Sequence, residues 1–95
     1  MSDPTTVTVT HSPQEQCFEA IVDGQRCAAD YQRQGHVIRM THTHVPPALE
    51  GRGIAGQVVK AALSWAQAEK LKVDPQCSYV AAYMRRHPEW QHLLA

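Results

Sequence analysis

Val45-Pro46-Pro47-Ala48-Leu49-Glu50-Gly51-Arg52-Gly53-Ile54-Ala55-Gly56-Gln57-Val58-Val59 runs from the end of an extended segment through a glycine-rich turn into a helix, and its reading decides the fold. Glycine adopts backbone conformations that a side chain forbids, so Gly51, Gly53 and Gly56 let the chain approach a ligand closely. The first N–H groups of the following helix have no partner inside it, and the helix dipole adds partial positive charge at that end. A turn of this kind is suited to phosphate. The spelling Gly-x-Gly-x-x-Gly occurs in dinucleotide and nucleoside-triphosphate loops. However, no Lys-Ser/Thr pair follows these glycines.

Downstream, Ile54, Val58, Ala61, Ala62 and Trp65 recur at helical spacing over residues 54–70, with Gln57, Lys60, Ser64 and Gln67 opposite. This predicts an amphipathic helix laid on a sheet. Residues 71–73 follow as a short strand closed by Asp74-Pro75, so strand, helix and strand make a right-handed crossover between parallel strands. Ser78 is placed to cap a second helix reaching about Arg86, and Pro88 to open a last helical turn. Upstream, residues 36–44 feed the glycine turn, and residues 18–22 and 25–33 form a hairpin around Asp23-Gly24. Residues 5–11 alternate threonine with Val7 and Val9 as a half-buried strand. This register puts Phe18, Ala20, Val22, Cys27, Ala29, Tyr31, Ile38, Met40 and His42 on one core face. The expected class is α+β: a mostly antiparallel sheet with one parallel β-α-β crossover and C-terminal helices.

At 95 residues the chain is one domain, 1–95, and a chain this short buries only about two-thirds of the surface its unfolded form exposes. Nine basic and nine acidic residues cancel, which argues against nucleic acid or an anionic membrane as partner. No apolar run approaches the roughly twenty residues that span a bilayer, and the first ten lack the pattern of a signal peptide. A cytoplasmic location is the default expectation. The hairpin register sets Cys27 opposite Ala20 and Cys17 opposite Asp30, with thiols on opposite faces, against a disulfide and in keeping with a reducing compartment.

Glu50-Gly51-Arg52-Gly53-Ile54-Ala55 resembles the acyl-CoA pyrophosphate loop of the GNAT N-acetyltransferase superfamily, patterned Gln/Arg-x-x-Gly-x-Gly/Ala. Gly53 and Ala55 fit; Glu50 stands where Gln or Arg is usual. Thr41-His42-Thr43-His44-Val45-Pro46, Cys77-Ser78-Tyr79-Val80 and Arg86-His87-Pro88 narrow the resemblance to a subfamily of short, stand-alone GNAT-like proteins, with His44 where an acidic residue is more usual. The resemblance covers residues 18–94. It implies a minimal GNAT-like fold without the superfamily's early helices, and an acetyl-CoA-dependent N-acetyltransferase that uses no metal. It also implies that Gly51, Arg52, Gly53, Ile54, Ala55 and Gly56 contact the pyrophosphate, mainly through backbone N–H groups. Thr43 and Val45 then lie along the pantetheine arm, and Tyr79 or Tyr83 protonates the departing thiolate.

Other roles follow from the residues themselves. His42 and His44 lie two apart on a strand and share a face; an imidazole suits a general base, and His42 reads equally well as a hydrogen-bonded core histidine. Cys77 beside a helix start is favoured as thiolate and reads as a nucleophile, as a neighbour of the thioester, or as a small buried hydrophobe. With no Cys-x-x-Cys or His-x-x-x-His pair, no metal is expected. The acceptor is an unidentified amine, protein lysine or small molecule. Two alternatives stand beside the enzyme: a non-catalytic acyl-CoA-binding or regulatory module, and an interaction domain in which the glycine turn is only a connector.

Overall fold

A computed structural model of the chain describes residues 7–95. Five strands follow in chain order across the sheet: β1 (Thr10–Ser12), β2 (Cys17–Val22), β3 (Gln25–Gln34), β4 (Val37–His44) and β5 (Lys72–Pro75). The first four pair antiparallel and β5 lies parallel to β4. Helix α1 (Ile54–Ala68) makes the crossover, α2 (Ser78–Arg86) follows β5, and short 3₁₀ segments occupy Pro47–Leu49 and Pro88–Leu93. The α+β arrangement is the expected one. Among the described residues, no helix is long and apolar enough to cross a membrane.

Local chemistry accounts for the hairpin. Asp23 and Gly24 both take positive φ, 51° and 73°, the left-handed pair that a two-residue turn needs to match strand twist. The arms therefore pair Ala20 with Cys27 and Cys17 with Asp30, as the register requires, and all three cysteines are free. The expected strand over residues 5–11 is found only from Thr10; residues 5 and 6 lie outside the described residues, while Val7 and Val9 pack half-buried against the core cluster. The helix expected to reach residue 70 ends at Ala68, and Lys70 turns left-handed at φ 58°.

Helix α1 buries Ile54, Val58, Val59, Ala62, Leu63 and Ala66 against Ile38, Met40 and Val73 of the sheet. Each larger side chain there contributes roughly 1.5–3 kcal/mol relative to exposure. His11 joins this core at its edge. Its ring stacks on Phe18 with centroids 4.1 Å apart, its Nε2 lies 2.5 Å from the Tyr31 hydroxyl, and Trp65 of α1 closes the cluster. Burial holds the His11 imidazole below its ordinary pKa.

One irregularity changes which side chains meet. β3 and β4 pair Asp30 with His42 but Tyr31 with Met40, so Thr41 is an extra residue, a β-bulge. The bulge resets the alternation along β4. His42, expected beside Ile38 and Met40, is exposed on the other face across from Asp30, and Thr43 takes the core-side position opposite the buried Ala29.

Candidate active site

β4 and β5 stay paired only from Val37↔Lys72 to Met40↔Pro75. The Cys77 N–H donates to the Met40 carbonyl at 2.9 Å, and beyond that link the strands part. Into the gap come the last residues of β4, the glycine turn and the start of α2. Together they border a cavity of about 580 Å³ lined by Thr43, His44, Val45, Leu49, Glu50, Gly51, Gly53, Ile54, Ala55 and Tyr79.

The glycine turn has the conformation its spelling suggests. Gly51 and Gly53 sit at φ 81° and 76°, in the left-handed region, and Gly53 is the N-cap of α1. A residue there carries no cap side chain, so the first N–H groups of α1 receive no side-chain hydrogen bond. Gly56 lies one turn further in, where a methyl group would touch the Tyr83 ring at 3.5 Å and the Tyr79 hydroxyl at 3.6 Å.

Arg52 departs from its expected place. Its guanidinium pairs with the Asp23 carboxylate at 3.0 Å, tying the loop to the β2–β3 hairpin, and it is not part of the cavity wall. Glu50 and Leu49, not singled out as site residues, do line it. Leu49 has a signal in the sequence, since it is the only large apolar residue between Pro46 and Ile54. Its burial anchors the 3₁₀ turn.

At the head of α2 the cap is Cys77 itself, and Ser78 is the first helical residue rather than the expected cap. The Cys77 Sγ lies 3.0 Å from the Thr43 hydroxyl. Burial pushes the thiol up, but the Thr43 hydroxyl and the backbone N–H groups of Val80, Tyr79 and Thr43 outweigh it and hold the thiol below its ordinary value. No cap hydrogen bond of good geometry forms from Sγ to the first turn, so the Tyr79 and Val80 amides act on the sulfur as nearby dipoles.

Tyr79 and Tyr83 stand one turn apart with rings stacked at 6.5 Å, and Tyr83 continues to His87 at 4.2 Å. Burial raises both phenols, which keeps them protonated at neutral pH. Tyr79 reaches the cavity, whereas Tyr83 is set behind it against Gly56. Of the two histidines, His44 lines the cavity and His42 does not. The structure thus gathers Thr43, His44, Val45, Gly51, Gly53, Ile54, Ala55 and Tyr79 around one cavity, puts Cys77 at its edge, and leaves Arg52 and His42 outside.

Comparison with known proteins agrees with this architecture. The family model of the GCN5-related N-acetyl-transferase domain matches residues 17–93. Protein NATD1 of Mus musculus is 34% identical over 90 residues, covering 92% of this chain and 82% of that protein. The NATD1 of Homo sapiens is 33% identical with coverage of 92% and 80%. The solution structure of a GCN5-like protein from Staphylococcus aureus superposes with a TM-score of 0.75, at 21% identity, over 94% of this chain and 88% of that one, a likeness of fold. The chain belongs to the GCN5-related N-acetyltransferase family.

Proposed function

We propose that this chain moves an acetyl group from acetyl-CoA to an amine. One observation carries the reading: the end of β4 beyond its pairing with β5, the start of α1 with no cap side chain, and Tyr79 on the first turn of α2 all line a single cavity, with Cys77 beside it against the cavity-lining Thr43. The fit to an acyl-CoA is chemical. An anionic diphosphate matches the N–H groups of Ile54, Ala55 and Gly56, and an amide-bearing arm matches the edge from Thr43 to Val45 that β5 leaves uncovered. Acetyl-CoA supplies the activated acetyl group; the remaining steps belong to the chain.

In this reading Cys77, as thiolate, attacks the acetyl carbonyl, and the bond from that carbon to the CoA sulfur breaks. Tyr79 gives its hydroxyl proton to the departing sulfur. The acceptor amine then attacks the acetyl carried on Cys77, forming the amide and regenerating the thiolate, while the amine's proton returns to the Tyr79 phenolate. His44 meets the acceptor at the cavity rim, and His42 has no part. The acceptor is a protein lysine or a small amine. Three free cysteines support a reducing, cytoplasmic setting.

Calorimetric titration with acetyl-CoA tests the reading: binding is expected, and none at millimolar ligand removes it. A second reading, an acyl-CoA-binding module without turnover, is favoured by the position of His42 on the far face of the sheet. Acetyl release with diverse amines separates the two. Release well above background, lost in Cys77→Ala, supports the enzyme; equal background from both proteins supports the binder.

A further inference from the structure

The family resemblance assigns Thr43 only a backbone role beside the pantetheine arm, yet its side chain is in the more specific position. The bulge at Thr41 turns that side chain to the core side of β4, and its Oγ1 comes 3.0 Å from Cys77 Sγ, 34 positions away in sequence. Bulges beside active sites commonly re-aim a side chain in this way. The Cys77 backbone is held independently by its N–H bond to Met40, so the hydroxyl meets a sulfur whose place is already set. We infer that the Thr43 hydroxyl is the positioning group for Cys77, donating to the sulfur and fixing its place at the cavity edge.

Charge does not do this work. The titratable and charged groups on the elements that meet there are Arg39, His42 and His44 on β4, Lys72 and Asp74 on β5, Tyr79, Tyr83, Arg85 and Arg86 on α2, and Glu50 and Arg52 in the turn. Asp74 is engaged by Arg39 and by the Gln76 amide. After burial, the influences on the sulfur are the hydroxyl and backbone N–H groups, none of them charged. A hydroxyl donates strongly to a thiolate and only weakly to a thiol, or accepts a weak bond from its S–H, so it favours the ionised form. Thr43 acts through Cys77. Its part in acetyl transfer rests on the reading above; its effect on the thiol does not.

The test follows the rate of iodoacetamide alkylation against pH in the full chain, for the native protein, Thr43→Val and Thr43→Ser. Peptide mapping assigns the signal to Cys77, since Cys17 and Cys27 are buried at 1% and 0% exposure. Thr43→Val keeps the shape and removes the hydroxyl; its profile is expected to move up by about one pH unit. Thr43→Ser is expected to return it to within a few tenths of a unit. A Thr43→Val profile superposed on the native one, or a Thr43→Ser profile that follows Thr43→Val, overturns the inference. Should acetyl-CoA fail to bind while the shift and its rescue are seen, the acetyl-transfer reading falls and the Thr43–Cys77 couple stands.

Discussion

Two helix starts face the same cavity and are built oppositely. At α1 the cap is Gly53, with Gly51 two residues before it, and no cap side chain bonds the first turn. At α2 the cap is Cys77, whose sulfur sits beside the Tyr79 and Val80 amides and against the Thr43 hydroxyl. Both ends carry the same partial positive charge. The first is open to an anion that arrives with a ligand, whereas the second favours an anion made from the protein's own side chain. A helix start binds or activates according to what occupies its cap.

The largest separation of the two is expected from Gly53→Val. A β-branched residue at φ 76° is strained, so stability should fall by about 1–3 kcal/mol in thermal melts. Acetyl-CoA affinity should fall more than about tenfold by calorimetry, about 1.4 kcal/mol. Unchanged affinity in a folded variant would mean that the α1 turn is not the cradle.

Cys77→Ala is the converse. Acetyl transfer should drop at least about tenfold, equivalent to about 1.4 kcal/mol of barrier, with acetyl-CoA affinity held within about twofold. An equal loss of both would erase the division between a binding end and a reactive end.

The pH dependence sharpens the second site. Because the Cys77 thiol is held below its ordinary 9.0, transfer should rise with pH as the thiolate forms, with its half-point below 9.0, and then level off. The sign for stability agrees: a lowered folded value favours the folded state above the unfolded pKa, and that contribution is lost as pH falls through the folded one. A half-point at or above 9.0 would remove the activation.

Ser78→Ala should do least. Ser78 is the first helical residue and not the cap, so stability should change by less than about 0.5 kcal/mol in denaturant titration. A loss near 1 kcal/mol would make Ser78 the cap after all.

How far each end could be read before the fold was known follows from the same contrast. The α1 end was legible because its information is local: glycines, a strand before and an apolar period after lie within one stretch. The register of the β2–β3 hairpin was legible for the same reason, since Asp23-Gly24 dictates the turn and the turn dictates the pairing. The pairing of Arg52 was not legible because its partner, Asp23, lies in another loop. Ser78 was misplaced because cap preference favours serine, whereas the helix boundary is set by the Cys77 N–H bond to Met40 on β4. His42 was misplaced because strict alternation along β4 fails at Thr41.

Sequence by itself determined the order of strands and helices, the left-handed glycines and the opening of α1, because sterics and apolar period act over a few neighbouring residues. Tertiary structure alone decided where β4 and β5 part, which face Thr43 takes and that its hydroxyl meets Cys77. An extra residue in one strand is defined only against its partner, and two side chains 34 positions apart become neighbours only when the sheet and α2 are packed together.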